Sequence, residues 1–174
     1  MIGLVPSWFR EMVIQAHENQ RTHLHYVLKG LTNDELIKTV TSEEYSRSIA
    51  GIVMHIGTAE TYWFHKAGNS IGPPVIADTF EEVISRIHEN TEKITMILKE
   101  CPEEQLRIIP PKDGGPSIAW AVLRTSQHGI YHTGQIAKIR RMIGASELPP
   151  DPDNLWGKAV DSTLGIIRAL IDES

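Results

Sequence analysis

Apolar residues recur along this chain at steps of three and four nearly everywhere, the spacing that lines one face of an α-helix. Phe9, Val13, Ala16, Leu24, Val27 and Leu31 mark one such face. They predict a first helix over about Ser7 to Leu31, with Ser7 as N-cap and Gly30 and Asn33 suited to stopping it. Ile49, Ile52 or Val53, Ile56, Ala59 and Trp63 predict a second, from near Glu43 to near Gly68, before "GNSIGPP" breaks the chain. Phe80, Val83, Ile87, Thr91, Ile94 and Leu98 predict a third, over about Thr79 to Glu100. Thr79 is placed to cap it and Glu82 to close a capping box. After the loop "CPEEQLRIIPPKDGGPS", a fourth helix is expected from Ser117 to Gly144, a natural residue just past a helix C-terminus. A second loop, "ELPPDPDN", leads to a last helix over about Gly157 to Asp172, striped by Val160, Leu164, Ile167 and Leu170. No segment alternates with period two for long. Four long striped helices predict an all-α fold, a four-helix bundle with an additional C-terminal helix packed on it. The 174 residues suffice for one domain with a real core, about residues 7–144.

Charge narrows the partners. The formal net charge is −5 and no segment gathers Lys and Arg into a long block, so neither nucleic acid nor an anionic membrane is an expected partner. The short basic run Lys138, Arg140 and Arg141 falls near a helix C-terminus, where it complements the helix dipole. The single cysteine, Cys101, cannot form an internal disulfide and reads as a helix-end residue before Pro102. A reducing, cytoplasmic setting fits. "MIGLVPSWFREMV" lacks the basic leader and long apolar run of a signal peptide, and no apolar run reaches the length of a membrane span.

The histidines change the picture most. The inward stripe of the fourth helix reads Ile118, Val122, Thr125, His128 or Gly129, His132, Ile136, Ile139, Ile143. Residues four apart lie about 40° apart around a helix and roughly 6 Å along it, so the rings of His128 and His132 can converge on one ion. Two histidines on a core face are costly unless each finds partners. A metal answers that cost, and so does a hydrogen-bonded cluster in which His132 donates to Gln135 or Thr125. A third ligand must come from another helix. His55 is placed for it, three after Ile52 and four before Ala59. Three histidines leave coordination positions open, as in catalytic sites. The others read differently: His17 and His23 at the edge of the first helix's apolar face, His25 and His88 facing solvent, His65 at a helix end. His17 is the best of these for a supporting role. Glu60, about 140° round from His55, reads as paired with a cation on a neighbouring helix. Arg140 could meet an anionic substrate group or a carboxylate such as Glu60, and reads as a structural salt bridge.

The run "HGIYHTGQIAKIR" at His128 to Arg140, together with "IAGIVMHIGTAETYW" in the second helix, resembles the DinB-like metalloenzyme superfamily. Its members include thiol-dependent S-transferases and a mycothiol-dependent maleylpyruvate isomerase. The likeness runs over roughly Trp8 to Gly144. The family motif is a histidine in the second helix and H-x-x-x-H in the fourth, matched here by His55, His128 and His132. Gln135 and Arg140 match positions that often follow the motif. The sequence departs from it at Gln127, where an acidic residue is common, and in the extra helix after Gly144. The resemblance implies a four-helix bundle, a divalent transition metal (zinc or nickel) on those three histidines, and a homodimer. It also implies a metal-dependent enzyme of the thiol S-transferase type, taking a low-molecular-weight thiol and a small-molecule substrate. A metal-dependent hydrolase and a non-catalytic metal-binding dimeric bundle are the other uses of such a site. For the hydrolase, no H-E-x-x-H or similar carboxylate is placed to act as base.

Overall fold

A computed structural model describes residues 7–40, 47–106 and 115–172 of the chain. Its regular elements are helices: α1 (Ser7–Leu28), α2 (Asn33–Ile37), α3 (Ile49–Lys66), α4 (Phe80–Glu100), a 3-10 turn at Glu103–Leu106, α5 (Ile118–Met142) and α6 (Leu155–Asp172). The expected helix start near Glu43 and the loop around Pro110 lie outside the described residues, as do the side chains of Ser7 and Leu170. None of the described helices is long and apolar enough to cross a membrane.

The helix ends follow from their capping chemistry. The Ser48, Thr79 and Ser117 side chains accept from the backbone N–H groups of Gly51, Glu82 and Trp120, satisfying donors that a helix start leaves unpaired. Thr79 and Glu82 close the expected capping box. Gly144, with φ +72°, ends α5 in the left-handed conformation that suits glycine. The first helix stops earlier than its apolar stripe predicts, at Leu28 rather than Leu31. Gly30 turns the chain at φ +75°, and a second capping box, Thr32 with Glu35, opens the short α2. The second long helix begins at Ile49 behind its Ser48 cap.

Helix α1 packs against α4 and α5, and α3 packs against the same two, which closes a four-membered bundle. Helix α6 runs along α1 and also touches α5. Asn19 Nδ2 reaches Lys158 O and Ser162 Oγ, and Gly165 lies against Met12 Sδ, so α6 is antiparallel to α1. Two expected stripes are displaced. In α3 the buried positions continue to Glu60 and Phe64, while Ala59 and Trp63 are only partly covered. In α6 the buried side chains among the described residues are Ala159, Thr163, Ile166 and Ala169, one position off the expected Val160, Leu164 and Ile167, and Leu164 is exposed.

The apolar core has two parts. One gathers Phe9, Val13, Phe64, Ile94, Leu98, Ile118 and Val122; the other gathers Leu24, Val27, Ile49, Ile56, Ile87 and Ile136. Between them every bundle helix contributes buried polar residues: His17, Gln20 and Arg21 from α1, Glu60 from α3, Asn90 from α4, and Thr125, Ser126, His132 and Thr133 from α5. The bundle thus carries a polar layer across its middle, and the histidines of interest sit at its edge between α3 and α5.

Candidate metal centre

His55 stands on α3, and His128 and His132 stand one turn apart on the facing stretch of α5. One ligand nitrogen from each of the three lies within 4.8 Å of the others. His128 Nε2 is 3.0 Å from His55 Nε2 and 3.0 Å from His132 Nε2. His132 is buried, while His55 and His128 are half-buried, so the cluster is anchored at one side and open at the other. The ring planes cross at 59° to 86° rather than stacking, which aims their edges at a common centre.

The rings are held from behind. His132 Nδ1 lies 2.7 Å from Gln135 Oε1, and the Gln135 amide nitrogen donates to Tyr131 Oη at 2.9 Å. An amide oxygen only accepts, so Nδ1 carries the hydrogen and the Nε2 lone pair faces the cluster. The hydrogen-bonded partner expected from the sequence is therefore present, and it orients the ring.

This donor set suits a cation. With the His132 Nε2 lone pair facing inward, a hydrogen on His128 Nε2 serves only one of its two 3.0 Å contacts and leaves the other without a hydrogen bond. Adding protons is disfavoured. Burial lowers the pKa of His128 from 6.5 to about 4, with repulsion from His132, His55, Arg124 and Arg47 adding to it. Burial also lowers His55, helped by Arg47 and His132. It lowers His132 as well, against the Gln135 hydrogen bond. Neutral imidazole is the form that ligates metals. Ligand nitrogens about 2.0–2.1 Å from a tetrahedral ion stand about 3.4 Å apart, close to the spacing found here.

The other histidines divide in a way the sequence did not predict. His17 and His23 are buried, not edge or surface residues. His17 sits in the polar layer, where burial first and Arg21 second push its pKa down to about 3. His23 Nδ1 pairs with the Thr133 hydroxyl at 3.1 Å. His25, His65 and His88 are exposed as expected. Glu60 points into the core and forms a buried ion pair with Arg21, with Asn90 Nδ2 3.5 Å from its other oxygen. Arg140 corrects its expectation. It forms no ion pair with a carboxylate among the described residues; instead it donates to the carbonyls of Val27, Lys29 and Ser146. It thereby ties the end of α1 to the turn after α5. Cys101 caps α4 beside Arg10, and burial raises its thiol pKa, which makes it a poor nucleophile.

A helical bundle whose facing helices bring three imidazoles together has a donor set that could hold a metal ion. The family model of the DinB family matches residues 10–164, and the chain belongs to that family. No curated protein and no solved structure gives a significant match.

Proposed function

We propose that this chain holds a divalent transition metal, zinc or nickel, on His55, His128 and His132 and works as a metal-dependent thiol S-transferase. The observation that carries the metal reading is the set of converging Nε2 atoms, with His132 fixed in orientation by Gln135. Bound there, a dipositive ion with only neutral ligands would favour thiolate over thiol. The reaction class is transfer of a small electrophile to the sulfur of a low-molecular-weight thiol. A sulfur–carbon bond forms, the leaving group departs with its electron pair, and the thiol proton passes to solvent. The chain's own residues hold and orient the imidazoles and bury one side of the cluster, while the half-buried rings of His55 and His128 leave the other side to substrate. The acid nearest in sequence to a triad residue on these two helices, Glu60, is turned into its pair with Arg21. The transferase reading therefore fits better than a hydrolase needing a carboxylate base. We take the chain to be one domain and to act as a homodimer, on the strength of the family resemblance.

Metal content of untagged protein, beside a His128→Ala/His132→Ala variant, tests the site. About one equivalent of transition metal in the wild type and none in the variant is expected. No metal in the wild type after reconstitution would sink the proposal. Turnover of a generic electrophile only when a low-molecular-weight thiol is present then tests the reaction class.

A further inference from the structure

The charge around the triad runs opposite to that of the chain. The whole sequence is acidic, at −5. Yet α5 carries Arg124, Lys138, Arg140 and Arg141 with no acidic residue, and α3 carries one acid, Glu60, which is buried against Arg21. Two arginines flank the histidines. Arg124 lies one turn before His128, its guanidinium 5.6 Å from the Trp63 ring and its Nη1 3.0 Å from Gln127 Oε1. Arg47 immediately precedes the Ser48 cap of α3. Both are exposed, and no ion pair among the described residues involves either. Arg124 shares a helix face with His128, and Arg47 Cβ would stand 3.7 Å from a Cβ at Gly51, one turn before His55, so each cation lies beside a triad helix at the turn before its histidine. The Trp63 ring and Gln127 engage Arg124 from one side and leave most of its donors open.

From this arrangement we infer that the small molecule reacting at the triad carries a carboxylate, seated on Arg124 with Arg47 as the second cation. The inference rests on the metal function proposed above and names its substrate class. A planar guanidinium matches a carboxylate in two parallel hydrogen bonds. A metal held by neutral imidazoles adds positive charge that no nearby acid of α3 or α5 cancels. An anion approaching the open side of the triad would meet the charge of the ion, Arg124 and Arg47, and exposed Tyr62 and Tyr131 on the same two helices offer apolar surface for the rest of the molecule.

Cobalt(II)-loaded protein, titrated at pH 8 and low salt with 4-imidazoleacetate and with 4-methylimidazole, tests this through the visible bands of the metal. The two probes share a metal-binding ring and differ by a carboxylate. The wild type is expected to bind 4-imidazoleacetate about tenfold more tightly. Arg124→Gln should cut that preference to about threefold or less, and Arg47→Gln should cut it less. Affinity for 4-methylimidazole should stay within about twofold in both variants, which shows that the metal site is intact. Equal affinities in the wild type, a preference that survives both substitutions, or no binding of either probe to the loaded protein would each overturn the inference. Failure of cobalt to bind at all gives no visible bands. That outcome overturns the metal reading and the inference with it, and is distinct from the others.

Discussion

Glu60 and His55 stand five residues apart on one helix and meet opposite surroundings. Glu60 is 2% exposed and faces a guanidinium and an amide, so its charge is cancelled inside the protein. His55 is half open and faces two groups of its own kind. The first cluster finds its counter-charge within the chain, while Arg21 Nε and Nη1 and Asn90 Oδ1 stay buried without a hydrogen-bond partner among the described residues. The second has lone pairs to spare and is completed only by something from outside. A polar layer that cuts one bundle core therefore has a structural half, closed among α1, α3 and α4, and a chemical half, open between α3 and α5.

The contrast can be broken most forcefully at the closed half. Glu60→Ala leaves the Arg21 guanidinium buried without its counter-charge. Urea unfolding of metal-free protein should show a loss of about 3–5 kcal/mol. Replacing both partners, Arg21→Met with Glu60→Leu, should restore most of it. A loss well below 1 kcal/mol in the single variant would mean that the pair is not closed.

At the open half the expected effect is on binding. Gln135→Ala removes the acceptor that fixes His132. Metal affinity, measured against a chelating dye, should fall about 10–100-fold. Metal-free stability should move by less than about 0.5 kcal/mol, since Gln135 is only half-buried. Equal losses in both measurements would erase the distinction between the halves.

Proton uptake sharpens the contrast further. His17 is held neutral with a pKa near 3, below its unfolded value of 6.5. The unfolded chain therefore binds the proton first, and stability is full above pH 6.5 and falls as pH drops from there toward 3. The His17 share is at most about 1.4 kcal/mol per pH unit. His17→Gln should flatten the fall of metal-free stability between pH 6 and 5, and an unchanged slope would remove His17 from the account. The smallest effect is expected on chelation. The triad sits on helices already packed by their own apolar residues, so the far-ultraviolet circular dichroism should not change when metal is stripped. Loss of helix would make the site structural.

Much of this was legible in the chain, for local reasons. Thr79 with Glu82, Ser117 and Gly144 announce helix ends because caps use neighbours in sequence. The meeting of His55, His128 and His132 was legible because His128 and His132 stand one turn apart and His55 lies beside the apolar stripe of its helix. Thr32 and Glu35 were also readable as a capping box, but the stripe running on to Leu31 hid the break. The face of α6 was not legible. Close approach to α1 selects small residues such as Ala159, Gly165 and Ala169 over the larger Leu164, and hydrophobicity does not report that fit. The polar layer was hidden for a related reason. Glu60 reads as paired with a cation on a neighbouring helix, but nothing local marks Arg21, 39 residues away, as that cation.

The pairing of α1 with α6 has a consequence during synthesis. Asn19 finds its partners on α6 139 and 143 residues later. Helix α1 leaves the ribosome well before α6, so the side that α6 covers stays open until α6 has emerged. Folding of the nascent chain should stall as a loosely assembled intermediate, exposed to chaperones for that interval, and finish in one late docking step.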